Sequence, residues 1–145
     1  MTEIIYRKSN KDDLPQIMAL LEKLGLDMSK PVNNFTVVAN GMLILGCARI
    51  KEMDDGALEL ASVAVEKKNR NKGIGRNLVK KALANEPRRP IYLMCRQERQ
   101  QFYEFLGFKK IDGKELPLSI RDKFICRCQR VAKSNVEGVA MRLDI

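Results

Sequence analysis

The chain has 145 residues, of which 45% are hydrophobic, and its 27 basic and 18 acidic side chains give a formal net charge of +9. This length and composition suit a single globular domain over residues 1–145. No apolar run reaches the ~18–20 residues that span a membrane, and the first residues lack the apolar core of a signal peptide. We therefore expect a cytoplasmic protein that does not enter a membrane.

The order of elements predicts an α/β fold on a mixed sheet. Capping groups at Asn10, Asp12 and Asp13 precede the first helix, and Asn40-Gly41 between two β-rich runs predicts a type I′ hairpin turn. Apolar periodicity predicts, in chain order, strand Ile4–Arg7, helix 14–24, strands 35–39 and 42–52, strand Ala57–Val65, helix Gly73–Ala84, strand Ile91–Cys95, helix 100–106, strand 108–111 and strand Gly138–Leu143.

The four cysteines are Cys47, Cys95, Cys126 and Cys128. In a cytoplasmic protein they are more typical of buried or free thiols than of a disulfide framework. Because the chain has no histidine, an all-sulfur zinc site would need all four cysteines. Cys47 and Cys95 both lie in strand-like apolar runs, so we expect no metal.

The positive charge is concentrated between residues 66 and 90, where nine lysines and arginines stand against two glutamates. A concentrated positive field favours an anionic partner, such as nucleic acid, a membrane surface or a phosphorylated small molecule. An ordinary solvated basic surface is the simplest alternative. The charge alone therefore leaves the kind of partner open.

The stretch EKKNRNKGIGRNLVKKAL places Gly73 and Gly75 at the start of a predicted helix. Glycine there costs about 0.5–1 kcal/mol relative to alanine, whereas each charge-assisted hydrogen bond to a phosphate contributes about 1.5–3 kcal/mol. A strand, a basic loop with glycines and a helix N-terminus together suit a pyrophosphate site. The dinucleotide fingerprint is excluded because Leu78 replaces its third glycine, and no Walker loop is present.

The hexapeptide RNKGIG (Arg70–Gly75) fits the pattern [RQ]-x-x-G-x-[GA], and the chain here resembles the GNAT N-acetyltransferases. The resemblance extends to NGMLILGCARI, ELASVAV and FYEFLGFKK, and covers most of residues 1–111. It implies a GNAT-like mixed central sheet of about six to seven strands flanked by about four helices. It also implies a transferase that uses acetyl-CoA as cosubstrate and a small-molecule primary amine as acceptor.

The resemblance assigns roles to particular residues. Glu59 would take a proton from the amine and Tyr103 would protonate the departing thiolate, two tasks that the chemistry requires of some base and acid. The alternatives are a solvent-facing strand residue for Glu59 and an ordinary aromatic beside Phe102 and Phe105 for Tyr103. Main-chain groups would bind the pantetheine arm at Val63, Ala64 and Val65, and the pyrophosphate at Arg70, Asn71, Lys72, Gly73, Ile74, Gly75 and Arg76.

The tail, with LGF, KELP and VAM in order, is similar to the acetyltransferase domain of N-acetylglutamate synthases. Glutamate is therefore the leading acceptor, and basic residues that could pair with its carboxylates are Arg49, Lys109, Lys110, Arg121 and Lys123. The alternatives are a protein N-terminus, a lysine or another small amine, or a non-enzymatic CoA sensor. We expect no nucleic-acid partner, because exposed aromatics do not alternate with the basic residues. The oligomeric state stays open, a homodimer included.

Overall fold

A computed structural model describes residues 3–26, 34–124 and 138–145 of the chain. Within these ranges the elements are β1 Ile4–Lys8, α1 Leu14–Lys23, β2 Phe35–Asn40, β3 Leu43–Glu52, β4 Leu58–Val65, α2 Ile74–Ala84, β5 Ile91–Arg96, α3 Gln100–Phe105, β6 Lys109–Ile111, α4 118–124 and β7 Gly138–Leu143. The seven strands form one sheet in the order β1-β2-β3-β4-β5-β7-β6. The β4–β5 pair is parallel, whereas β1–β2, β2–β3, β5–β7 and β6–β7 are antiparallel. This confirms the predicted α/β class and mixed sheet.

Main-chain contacts group the chain into two compact units. The first consists of Met1–Ile50 with Ala61–Pro87, and the second of Lys51–Leu60 with Arg88–Ile145. The prediction of a single domain over 1–145 stays a prediction. In the described ranges, no helix is long and apolar enough to cross a membrane.

The first unit has a core on each face of its strands, because successive side chains of a strand point to opposite faces. Val37 and Ala39 of β2 join the cluster that includes Ile17 and Leu21 of α1. Val38, between them, joins the opposite cluster, in which α2 buries Ile74, Leu78 and Ala82.

Polar contacts stabilise the segment that leads into α1. Asn10 caps a short 3-10 turn, and its side chain accepts from the Asp12 N–H at 2.9 Å, while its own N–H donates to Asp13 Oδ2 at 2.8 Å. Arg7 donates to both Asp13 oxygens, at 2.7 and 3.0 Å. These bonds to Arg7 are the main reason that the pKa of Asp13 lies below its usual range. The predicted capping groups Asn10 and Asp13 thus cap the 3-10 turn that leads into α1, and Asp12 contributes only its N–H. Asp13 is also the N-cap residue of α1 itself, but it makes no side-chain capping bond to that helix.

The β2–β3 hairpin is confirmed, but the predicted turn is wrong. Asn40 still pairs with Leu43, so the two loop residues are Gly41 and Met42. Gly41 is left-handed (φ +61) and Met42 is not, which is the pattern of a type II′ turn. The glycine supplies the one positive φ that this turn requires, and Asn40 remains in the strand.

In the second unit, β4 and β5 pair at Leu58–Ile91 and Glu59–Tyr92, and β5 continues the sheet antiparallel to β7. A helix that the sequence analysis did not predict, α4, follows β6 along the chain. The side chains packed with it form one apolar cluster. Its buried members are Leu116, Ile120 and Ala140, and its partly buried members are Met53, Ala57, Tyr92, Met94, Ile111 and Phe124.

Candidate functional site

The turn before α2 is made by main-chain conformation. Asn71 (φ +65) and Gly73 (φ +77) are both left-handed, and Gly73 is the N-cap of α2. A Cβ built on Gly73 would meet no atom within 4 Å. The glycine is therefore required by its φ, and the space in front of it is open to a ligand.

The start of α2 carries donors suited to an anion. The N–H groups of Ile74, Gly75 and Arg76 lie in the first turn, where a helix offers no internal acceptor. Gly73 has no side chain to cap them, and no acidic residue lies in this turn. Just before the turn, Asn69 Nδ2 is buried with no hydrogen-bond partner among the described residues. Together with the helix dipole, these groups fit phosphate oxygens.

The loop that leads to this turn is anchored to the strands of the first unit. Arg70 Nε donates to the Val65 carbonyl oxygen at 3.1 Å, which ties the loop to the end of β4. The Glu66 N–H donates to the Leu45 carbonyl at 2.8 Å, and the Asn69 N–H to Glu66 O at 2.9 Å. The Arg70 side chain thus supports the loop.

The β4 backbone leaves regular strand geometry at Ser62, which is buried and left-handed with φ +54. The Ser62 carbonyl accepts from Cys47 Sγ at 3.7 Å. At Ala64, two residues further along β4, the neighbouring strand β3 comes very close. A Cβ built on Gly46 of β3 would lie 2.7 Å from the Ala64 carbonyl oxygen. The stretch Val63–Val65, predicted to bind the pantetheine arm, therefore follows directly on an irregular residue.

Glu59 lies in the second unit and is buried, with 3% of its surface exposed. The alternative of a solvent-facing strand residue is therefore wrong. Lys123 Nζ of α4 donates to Glu59 Oε1 at 3.0 Å. In the sheet, Glu59 pairs with Tyr92 of β5, and Tyr92 lines a cavity of about 450 Å³. Glu59 itself is not among the residues that line this cavity.

Tyr103 is half-buried on α3. Its ring meets those of Phe102 and Phe108 edge to face, with centroids 5.0 and 5.9 Å apart. Phe105, by contrast, is 81% exposed. The ring contacts fix the position of the tyrosine, and the acid role of its hydroxyl stays a prediction.

The sequence model described as an acetyltransferase (GNAT) domain matches residues 31–110. The chain belongs to the GNAT acetyltransferases. This confirms the family that RNKGIG and its neighbouring motifs indicate, and the seven-stranded mixed sheet is consistent with the GNAT fold. A search of curated proteins finds none that matches.

Solved structures share the GNAT fold along nearly the whole chain. N-acetylglutamate synthase from Neisseria gonorrhoeae, complexed with coenzyme A and L-arginine, matches 99% of this chain with a TM-score of 0.74 and 19% identity. The protein Rv2747 from Mycobacterium tuberculosis, in complex with CoA, covers 97% of this chain and 99% of its own, with a TM-score of 0.73 and 19% identity. A GNAT-family acetyltransferase from Staphylococcus aureus covers 98% and 99%, with the same TM-score and identity.

The two matching structures of N-acetylglutamate synthase are longer than this GNAT chain, which spans 34% and 36% of them. At 19–21% identity they show a common fold. The molecules bound in those two structures are ligands of the Neisseria enzyme.

The basic residues considered for a substrate carboxylate have varied environments. Arg49 is 1% exposed and lies over the Phe35 ring, 5.0 Å from its centroid. Arg121 donates to two carbonyl oxygens of the segment before α4, at 2.7 and 3.0 Å. Lys123 contacts Glu59, and the two lysines of β6 are exposed. Sequence reasoning missed the contact of Lys123 with Glu59. The one signal available was the four-residue spacing of apolar residues, which could have predicted the helix α4 that carries Lys123.

The structure describes two of the four thiols. Neither Cys47 nor Cys95 is bridged in a disulfide within the described residues, and burial raises the pKa of Cys47 to about 12, against a smaller opposing effect of Arg49. Cys126 and Cys128 lie outside the described residues. Among residues 3–26, 34–124 and 138–145, no three acidic, cysteine or histidine side chains group as metal ligands. The expectation of no metal stays a prediction.

Proposed function

We propose that the chain is an acetyl-CoA-dependent N-acetyltransferase that acts on a primary amine, best represented by a free amino acid such as glutamate. The observation that carries this proposal is the left-handed turn at Asn71 and Gly73 before α2, with open space in front of Gly73. Family membership supports it, as do the CoA complexes among the solved structures of this fold.

The diphosphate of acetyl-CoA would accept hydrogen bonds from the main chain of the turn and the first turn of α2. The open space at Gly73 permits this approach, since a side chain there would stand in front of the donors. The pantetheine arm would pair with the β4 backbone like an added strand. The proposed contacts are Val63, Ala64 and Val65 for the arm, and Arg70, Asn71, Lys72, Gly73, Ile74, Gly75 and Arg76 for the diphosphate.

For the reaction itself, an amine at neutral pH is mostly ammonium and must lose a proton before it can attack. Glu59 would take that proton, directly or through water, and the amine nitrogen would then form a bond to the thioester carbonyl carbon. When the carbon–sulfur bond breaks, Tyr103 would give its proton to the thiolate of CoA. Each residue would thus perform one proton transfer.

The choice of glutamate as the acceptor rests on different observations from those for acetyl transfer. The tail resemblance and the fold shared with N-acetylglutamate synthase favour it. Against it, Arg49, Arg121 and Lys123 have contacts within the protein, which leaves the exposed Lys109 and Lys110 as the simplest partners for a carboxylate. A protein N-terminus, a lysine or another small amine is therefore the alternative acceptor.

Two measurements test the proposal in sequence. Acetyl-CoA should raise the melting temperature in a concentration-dependent way, because a ligand that binds the folded state stabilises it. Release of free thiol should then be measured with glutamate, glutamine, lysine and a peptide with a free N-terminus. If two carboxylates are recognised, glutamate should exceed glutamine in kcat/KM by about tenfold or more. Equal rates with lysine, or turnover of the peptide alone, would favour the alternative acceptor, and no turnover at all would contradict the transferase.

A further inference from the structure

Glu59 lies in an apolar part of the second unit. Its neighbour in the sheet, Tyr92, packs with the cluster around Leu116 and Ile120, and Ile120 of α4 is fully buried. The Glu59 side chain is only 4% exposed. A carboxylate so far removed from water is costly unless a cation or several donors compensate for the lost hydration.

Lys123 supplies such a cation from the solvent side. Its ammonium lies 3.0 Å from Glu59 Oε1, and its side chain is 37% exposed against 4% for the glutamate. The long lysine stem lets the charged end reach a buried partner while part of the side chain remains hydrated. The pair therefore joins a buried group on β4 to a partly hydrated group on α4.

The helix that carries Lys123 is itself fixed to the turn before β4. Ser119 donates to Asp55 through its hydroxyl at 2.8 Å and its N–H at 3.3 Å, and the Ala57 N–H donates to Asp55 Oδ1 at 3.1 Å. Residues four apart on a helix share one face, so Ser119 and Lys123 face the same way. Two contacts, Asp55–Ser119 and Glu59–Lys123, thus connect α4 to one short stretch of chain, and the ammonium is presented from a supported helix.

We propose that Lys123 is a positioning residue that holds the Glu59 carboxylate in place for proton abstraction. This inference rests on the proposed function, in which Glu59 is the base. A buried carboxylate that loses its cation is no longer compensated for its lost hydration and turns towards water, so that it is no longer an aligned base. Lys123 would then act on the rate of the chemical step and not on the binding of acetyl-CoA.

The test is a double-mutant cycle in the CoA-release assay, with the Lys123→Met, Glu59→Gln and combined variants. Lys123→Met should lower kcat by about tenfold or more, a part of the ~10²–10⁴-fold that a positioned base contributes, and leave the KM for acetyl-CoA unchanged. Lys123→Arg, which keeps a cation, should recover most of the rate. In the Glu59→Gln background, Lys123→Met should have no further effect on kcat. Lys114→Met, an exposed lysine of the preceding turn, is the matched control and should behave as the parent.

The outcomes separate this inference from the proposed function. Parent-like turnover in Glu59→Gln would remove the base, and the role of Lys123 would fall with it. Loss of activity in Glu59→Gln with full activity in Lys123→Met would overturn the positioning role alone. So would equal losses in both backgrounds, an inactive Lys123→Arg, or a raised KM for the amine at unchanged kcat, which would make Lys123 a substrate contact. If Lys123→Met does not fold, the combined variant, free of the buried charge, is compared with Glu59→Gln.

Discussion

Under the proposed function, the turn before α2 would bind the cofactor and the Glu59–Lys123 contact between β4 and α4 would act on the amine, and the two regions are built differently. The turn depends on main-chain conformation, since Asn71 and Gly73 are left-handed and the donors are backbone N–H groups. The second contact depends on two side chains that lie 64 residues apart in the chain, Glu59 and Lys123. Cofactor binding should therefore respond to changes of backbone freedom, and amine chemistry to changes of side-chain groups that leave the backbone intact.

The largest expected effect concerns a further side-chain group of the proposed chemistry, the Tyr103 hydroxyl on α3. Tyr103→Phe removes one hydroxyl and retains the ring that packs on Phe102 and Phe108, so the fold should persist. We expect kcat to fall by ~10²-fold or more, the usual contribution of a positioned proton donor, with an unchanged Kd for acetyl-CoA. Steady-state rates and calorimetric titration check both quantities.

Tyr6→Phe, the same change at a half-buried tyrosine of β1, is the control and should leave kcat at the parent value. A parent-like kcat in Tyr103→Phe would mean that another group protonates the thiolate, or that the thiolate leaves unaided. The acid would then have to be sought elsewhere, while the assignment of the acetyl-CoA site would stand.

The turn before α2, where the proposed donors are main-chain N–H groups, is tested by Gly73→Val. A side chain at a φ of +77 strains the turn and fills the open space in front of the α2 donors. Loss of one charge-assisted hydrogen bond costs about 1.5–3 kcal/mol, so the Kd for acetyl-CoA should rise by about 10- to 100-fold. Isothermal titration of the folded variant measures this change.

Gly25→Val is the matched control, because Gly25 is also left-handed, with φ +67, and also has no atom within 4 Å of a built Cβ. Both variants should lose about 1–3 kcal/mol of stability from backbone strain. Only Gly73→Val should weaken acetyl-CoA binding. Equal affinities of the two variants for acetyl-CoA would show that the turn before α2 is not part of the cofactor site. The proposed contrast between the two regions would then be wrong.

Sequence reasoning reached the first region because its signals are local. A strand, a glycine at the N-cap and a helix with apolar positions at 74, 78 and 82 stand within some twenty letters, and each has a direct conformational meaning. The helix predicted over Gly73–Ala84 is observed over Ile74–Ala84, with Gly73 as its N-cap. The positive φ of Asn71 and of Ser62 was harder to predict, because most asparagines and serines have a negative φ.

The second region escaped prediction because its contacts are distant along the chain. Nothing in ELASVAV shows that Glu59 will be buried, and nothing in the tail shows that Lys123 will be its partner. The helix α4 has Pro117 just before it and Leu116, Ile120 and an apolar residue at 124 in register, a spacing that helix periodicity could have used. Tertiary packing, not local preference, brings the pair together.

The smallest expected effect sharpens the comparison with a second buried carboxylate, that of Asp13. Its side chain is 8% exposed and that of Arg7 33%, values close to those of the Glu59–Lys123 pair. Arg7 and Asp13 lie only six residues apart, at the entry to α1. Asp13→Asn should lower the free energy of unfolding by about 1–3 kcal/mol near neutral pH, the worth of a hydrogen bond to a charged group, and leave kcat unchanged.

The pH dependence follows from the lowered pKa of Asp13, whose main cause is the hydrogen bonding to Arg7. A carboxyl with a lower pKa in the folded state binds its proton more readily when unfolded, so its stabilisation is complete above the unfolded value of about 3.9 and is lost as the pH falls through the folded value. Urea unfolding should give a constant difference between parent and Asp13→Asn from about pH 8 to pH 5, and a shrinking one below about pH 4. A difference that persists at lower pH would show that packing or the Asn10 contact, and not the carboxylate charge, stabilises this entry. A fall in kcat would show that the local pair also serves the reaction, which the arrangement of the two regions does not predict.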